Sequence, residues 1–161
     1  MKKVIEGVYS VQLAAGIVCL AVFLIAVLIQ IFSRYLRIPI PWTDDLAVYS
    51  FTWSVFMGAA AMVHGKRHFA FTSLGDTLTG IPKHILAILI FSAMGAFALL
   101  MVVHGMEAAR AFWNHQWISL PQVKMGYTWL CIPIAGATMC LYLVSHIVDE
   151  INAIRNLVAD Q

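Results

Sequence analysis

Four long stretches of the chain contain no charged residue, and short polar or proline-containing segments separate them. Each stretch is long enough to cross a hydrocarbon core of about 30 Å at a helical rise of about 1.5 Å per residue. None shows the alternating pattern of a membrane β-barrel strand. The pattern predicts an all-α integral membrane protein, with four transmembrane helices and short loops in a single domain over residues 1–161. The predicted spans are residues 7–33, 44–65, 84–106 and 125–148.

The composition agrees with a membrane protein and excludes several other classes. Hydrophobic residues make up 61% of the 161 residues and charged residues only 11%, which is more apolar surface than a soluble domain of this size can bury. The net charge is +2, and the basic residues lie at the ends of the apolar stretches rather than in a stripe, so no nucleic-acid partner is expected. The three cysteines fall inside apolar stretches and are expected to act as small buried hydrophobic residues.

The second span has a marked charge asymmetry, and the other three spans are expected to pack around it. Asp44 and Asp45 precede its apolar run, where the helix dipole is positive, and Thr43 is expected to cap the helix. The basic residues after the span are expected to contact lipid headgroups at the negative end of the helix. These predicted headgroup contacts are Lys66, Arg67 and His68.

The connections predict an interfacial helix and an orientation. Phe71, Leu74 and Leu78 form one apolar stripe, which is typical of a short interfacial helix in the second connection. Lys2 and Lys3 precede the first span, which favours cytoplasmic N- and C-termini in a multi-pass membrane protein. Four tryptophans are then expected near the opposite, outer face. They are Trp42, Trp113, Trp117 and Trp129.

The predicted spans contain no Asp, Glu, Lys or Arg within their apolar runs. An ion-coupled transporter needs ionisable or carbonyl ligands at mid-membrane depth, so this chain by itself has no evident coupling site. No catalytic arrangement or phosphate-binding loop is recognisable, and neither an enzyme nor a cofactor is predicted. His64 and His68 have the spacing of a metal pair on a helix, but the intervening basic residues favour an interfacial anchor. A self-sufficient small transporter is a further hypothesis, which the uncharged spans argue against.

A haem b-binding membrane anchor of a respiratory enzyme is the alternative function. Such anchors ligate haem through histidine pairs on facing helices. His104 and His146 lie near opposite ends of antiparallel spans and would be far apart. His84 and His146 are expected at the same face of the membrane, where they could form a pair.

Three segments carry a resemblance to a known family. Residues 42–47 read Trp-Thr-Asp-Asp-Leu-Ala, residues 51–60 contain Phe-x-Trp-x-x-Phe-x-Gly-Ala-Ala, and residues 65–68 read Gly-Lys-Arg-His. Together with the length and the number of spans, they resemble the small membrane subunit of tripartite ATP-independent periplasmic (TRAP) transporters. The chain departs from the family pattern in having Asp where Glu is commoner, and Val48 where an Arg often stands.

The resemblance implies a location in a bacterial inner (cytoplasmic) membrane and a division of labour between three proteins. A periplasmic substrate-binding protein captures an organic acid, such as a dicarboxylate or sialic acid. A large membrane subunit binds substrate and sodium and moves like an elevator, while the small subunit is its fixed, non-catalytic scaffold. The partners expected for this chain are therefore the large subunit, the periplasmic protein and membrane lipids.

Two groups of residues are candidate contacts with these partners. The first group lies at the start of the second span and the end of the first, where one of Arg34 and Arg37 is also expected to pair with an acid. In the second, Ser54 and Gly58 form a small-x-x-x-small pair that permits close helix packing, internally or with a partner. The first group is Trp42, Asp44, Asp45 and Arg34; the second is Ser54, Gly58 and Trp53.

Overall fold

The computed structural model describes residues 2–65 and 80–159 of the chain. Four helical segments in these residues are long and apolar enough to cross a membrane, which confirms the predicted number of spans. The last span is divided into a short and a long helix. The helices are α1 Lys2–Leu36, α2 Trp42–His64, α3 Ile81–Ala111, α4 Gly126–Trp129 and α5 Cys131–Ala159.

Prolines and two left-handed residues set the helix boundaries. Arg37 follows α1 with φ 59°, and Pro39 and Pro41 then prevent the helix from continuing. Gly80, with φ 73°, precedes α3, and a proline occupies the first turn of that helix. The break between α4 and α5 lies next to Pro133, whose missing N–H cannot donate to the carbonyl four residues earlier.

The helices form a row rather than a cluster around α2. Helix α1 packs on α2, α2 packs on α5, and α5 packs on α3, while no backbone contact joins the described part of α3 to α1 or to α2. The expectation that the other spans pack around the second one is therefore wrong for α3. Hydropathy places a helix in the membrane, but it carries no information on which helices become neighbours.

The row leaves α1 largely uncovered. In the most apolar 18-residue segment of α1, only 6% of the residues are buried, compared with 39% in the corresponding segment of the span formed by α4 and α5. The main hydrophobic cluster instead joins α2, α3 and α5 toward the end of the bundle where α2 finishes, and Ile5 of α1 reaches it. Helix α1 is thus a flank of the bundle.

Backbone contact between α3 and α5 depends on two glycines. A Cβ atom at Gly136 would lie 2.9 Å from the Ala98 carbonyl oxygen, and one at Gly105 would lie 2.9 Å from Cδ of Pro133. Distances this short leave no room for a methyl group, so the two helices can approach closely only because both positions lack a side chain.

A buried polar network joins α1 to α5. The Gln12 side chain is 5% exposed; its amide nitrogen donates to Thr138 Oγ1 at 2.8 Å, and its amide oxygen accepts from the Tyr142 hydroxyl at 2.7 Å. The same nitrogen lies 3.8 Å from the Met57 sulfur of α2. Since α1 and α5 contact each other only sparsely, these bonds are a principal link between them.

Candidate functional site

The candidate site is the end of the bundle where α2 begins, here called the Trp42 end, which comprises residues 37–45 and 112–130. Asp44 and Asp45 lie in the first turn of α2, as the sequence predicts. The predicted Thr43 cap is wrong, because α2 already begins at Trp42 with Pro41 at the N-cap position and no side-chain cap. The Thr43 hydroxyl is fully buried and donates to the Ile40 carbonyl at 2.7 Å.

Asp45 makes a contact that the sequence does not reveal. Its carboxylate oxygen Oδ2 accepts a hydrogen bond from the Ser119 backbone N–H at 2.9 Å, across 74 residues of sequence. One turn further along α2, the Tyr49 ring lies 4.5 Å from the Trp117 ring, centroid to centroid. The half-buried start of α2 thereby holds the loop that connects α3 to α4.

This connecting loop, residues 112–125, is folded back on itself. The Met125 N–H donates to the His115 carbonyl at 2.8 Å, and the Trp117 N–H donates to the Val123 carbonyl at 3.1 Å. The Trp117 indole N–H also donates to Thr128 Oγ1 at 3.2 Å. The loop is therefore an ordered cap on the Trp42 end, held by both backbone and side-chain bonds.

Aromatic rings pack beneath this cap. Phe112 stacks on Trp129 at a centroid distance of 5.0 Å, and the Trp113 ring covers Gly126, where a Cβ atom would lie 2.5 Å from the indole. The structure therefore brings the predicted tryptophans together at one end of the bundle, and Trp42 lies at the same end with 38% of its surface exposed. Ile118, at 90% exposure, lies in the middle of the loop.

Arg34 and Asp44 border a second feature of this end. They line an open pocket of about 270 Å³ beside the loop between α1 and α2. Within residues 2–65 and 80–159, no ion pair of 4.0 Å or less joins Arg34 or Arg37 to Asp44 or Asp45. The predicted arginine–aspartate pair across the proline-containing loop is therefore wrong.

The small-residue patch on α2 packs differently from the expectation. A Cβ atom at Gly58 would meet open space, whereas one at Gly16 of α1 would lie 3.3 Å from Met57 Cβ and 3.8 Å from the Ser54 carbonyl oxygen. The Ser54 hydroxyl donates within its own helix, to the Phe51 carbonyl. The close approach of α1 and α2 thus depends on Gly16, which the sequence did not single out.

Trp53 lies on the open side of α2. It borders an apolar groove of about 450 Å³ that also includes Val11 of α1 and Ile134 of α5. The groove follows from the sparse contact between α1 and α5. Trp53 and Gly58 therefore each lie at a surface that residues 2–65 and 80–159 leave at least partly uncovered.

The histidines of the haem alternative each have other neighbours. His84 Nδ1 lies 2.6 Å from a Glu150 carboxylate oxygen, and His146 Nε2 lies 3.2 Å from the Val63 carbonyl oxygen. His104 pairs with Glu107 on its own helix at 3.0 Å. Because His84 and His146, which could have formed a pair, each have a protein partner on a ring nitrogen, the haem alternative is not favoured.

The remaining sequence candidates lie partly beyond the described residues. His64 is described: its ring stacks on Tyr9 at 4.5 Å and lies 3.8 Å from the Glu6 carboxylate. In the ranges that the structure covers, no group of three or more metal-ligating side chains is found. Outside them fall the predicted interfacial helix and the predicted headgroup contacts Lys66, Arg67 and His68.

Comparison with known proteins agrees with the architecture. No curated protein matches the chain. The family model described as "Tripartite ATP-independent periplasmic transporters, DctQ component" matches residues 23–153. This range includes all of α2, α3 and α4, most of α5, and the C-terminal part of α1. The chain therefore belongs to the DctQ family, the small membrane component of TRAP transporters.

Proposed function

We propose that the chain is the non-catalytic scaffold of a sodium-coupled TRAP transporter for an organic acid, such as a dicarboxylate or sialic acid. The observation that carries this proposal is the absence of any Asp, Glu, Lys or Arg from the four apolar runs. Without an Asp, Glu, Lys or Arg at membrane depth, the chain lacks the charged side chains with which transporters usually couple an ion gradient to solute movement. Coupling and substrate binding then belong to the large membrane subunit.

The open side of the helix row is the proposed interface with the large subunit. Helix α1 is a thinly buried flank. Trp53 borders the apolar groove, and a Cβ atom at Gly58, on another face of α2, would meet open space. The half-buried tryptophan offers a partner helix a large contact area, and the glycine permits close backbone approach. Such a surface suits a membrane-embedded partner better than an aqueous one.

The Trp42 end is the proposed periplasmic surface. The Lys and Arg bias favours cytoplasmic N- and C-termini, which places the loop 112–125 outside an inner membrane. Asp45 fixes this loop, and Ile118 and Trp42 are exposed beside it. A rigid, partly apolar cap is a surface that can dock the periplasmic substrate-binding protein without a large ordering cost.

Reconstitution tests the scaffold role. Liposomes that contain this chain alone are expected to accumulate no organic acid under an inward sodium gradient. Accumulation is expected when the large subunit and the periplasmic protein are both added, and co-purification in mild detergent should recover the two membrane subunits together. Empty liposomes and liposomes with a dissipated sodium gradient are the controls. Gradient-driven uptake by this chain alone would contradict the proposal.

Asp45→Ala is expected to loosen the loop 112–125, because it removes a charge-assisted acceptor from the Ser119 N–H. We expect a cost of about 1 kcal/mol, or roughly fivefold faster hydrogen exchange of the loop amides in the purified chain. Asp44→Ala is the matched control, since it removes the neighbouring carboxylate, which also lies in the first turn but holds no loop. Equal exchange in the two variants would mean that Asp45 acts only on the helix dipole.

A further inference from the structure

The pocket at the end of α1 has opposite charges on its rim. Arg34 and Asp44 both border it, and neither side chain forms an ion pair within 4.0 Å in the described part of the chain. Pro39 and Pro41, which lie between Arg34 and Asp44 in sequence, also line the pocket, and their rings restrict the backbone there. The pocket therefore has a cationic and an anionic side chain on its rim, with space of about 270 Å³ beside them.

Neutral hydrogen-bonding groups lie on the arginine side of this pocket. Gln30 is one helical turn before Arg34 and therefore on the same face of α1, and Ser33 also borders the space. Within residues 2–65 and 80–159, neither side chain forms a hydrogen bond with the protein. A guanidinium with an amide and a hydroxyl beside it is a good set of donors for a phosphate group.

We propose that this pocket binds the phosphoethanolamine headgroup of a membrane lipid, with its phosphate at Arg34, Gln30 and Ser33 and its ammonium at Asp44. A zwitterion satisfies both rim charges, whereas an anion or a cation alone would leave one of them unpaired. Ile31, which precedes Arg34 by three residues on α1, is 57% exposed and provides an apolar surface for an acyl chain beside the headgroup. This site does not rest on the transport function proposed above.

Native mass spectrometry of the purified chain in a neutral detergent tests the headgroup. The probes are phosphatidylethanolamine, phosphatidylcholine and phosphatidylglycerol with the same acyl chains, added at equal concentrations. Phosphatidylethanolamine is expected to be retained about two- to fivefold over the other two, the range for a partly exposed ion pair. The choline ammonium has no N–H to donate to Asp44, and phosphatidylglycerol has no ammonium.

Two variants separate the two halves of the site. Asp44→Asn is expected to abolish the preference for phosphatidylethanolamine over phosphatidylcholine while both lipids still bind. Arg34→Gln is expected to lower the retention of all three lipids. The controls are Arg37→Gln and Asp149→Asn, which remove one exposed charge of each sign from outside the pocket and should leave the preference intact.

Three results would overturn the proposal. One is equal retention of the three lipids by the unmodified chain. Another is a preference that survives both Asp44→Asn and Arg34→Gln, since it would then come from the rest of the surface. The third is binding of soluble phosphoethanolamine as tightly as the lipid, because the ligand would then be a free metabolite rather than a membrane component.

Discussion

Gly136→Ala is expected to destabilise the bundle, although alanine is the better helix former. The new methyl carbon would lie 2.9 Å from the Ala98 carbonyl oxygen and 3.1 Å from Met101 Cβ, so α3 and α5 must separate to admit it. Overpacking of this kind typically costs about 1–3 kcal/mol. The measurement is the free energy of unfolding of the purified chain in mixed micelles, from a denaturing-detergent titration.

Gly95→Ala is the matched control for this substitution. Gly95 also lies inside a transmembrane helix, α3, but a Cβ atom there would meet open space. Alanine at this position is expected to be neutral or to stabilise the chain by up to about 1 kcal/mol, because it restricts the unfolded backbone. Effects of opposite sign at the two positions are therefore expected, and a Gly136→Ala variant as stable as Gly95→Ala would contradict the close approach of α3 and α5.

Gln12→Leu is expected to weaken the attachment of α1 to the rest of the bundle. The substitution leaves the buried Tyr142 hydroxyl without its acceptor and removes the bond to Thr138. Interhelical hydrogen bonds in membranes contribute about 0.6 kcal/mol on average and up to about 1.7, so the loss of two should cost about 1–3 kcal/mol. The same unfolding titration measures the cost.

A double-mutant cycle distinguishes the network from simple packing. Tyr142→Phe combined with Gln12→Leu should cost less than the sum of the single substitutions. Tyr142→Phe removes the hydroxyl that Gln12→Leu alone would leave without an acceptor. Gln30→Leu is the control: it also replaces an amide on α1, but one whose side chain has no hydrogen bond to another described residue. Additive effects, or an equal cost for Gln30→Leu, would mean that the network adds little to stability.

The predicted helices were largely correct, since long uncharged runs leave the backbone one way to satisfy its hydrogen bonds in lipid. The errors lie at the ends of helices. Thr43 was a plausible cap by residue type, but Pro41 already fixes the backbone angle needed for the first turn, so α2 begins earlier. The Asp45 bond to Ser119 joins segments 74 residues apart, and no local pattern encodes such a contact.

The candidate surface was only partly predictable, for a related reason. Clustered tryptophans and an acidic pair identify the Trp42 end, because both residue types favour particular places along a membrane helix. One of Arg34 and Arg37 was expected to pair with an acid at the start of α2, but Arg34 and Asp44 instead border a pocket. The roles of Gly16 and Gln12 in helix packing could not be predicted, because the sequence does not show which helix lies opposite a glycine or an amide in an apolar run.

The sequence by itself determined that the chain has four spans long enough to cross a membrane, which residues lie at the end of each span, and that the four apolar runs contain no Asp, Glu, Lys or Arg. Those properties depend on the free energy of each residue in water or lipid, a local quantity. Only the tertiary structure decided the order of the helices in a row, the glycines at which they touch, and the loop that Asp45 holds. All helix faces are similarly apolar, so shape and a few polar contacts, rather than hydrophobicity, select the neighbours.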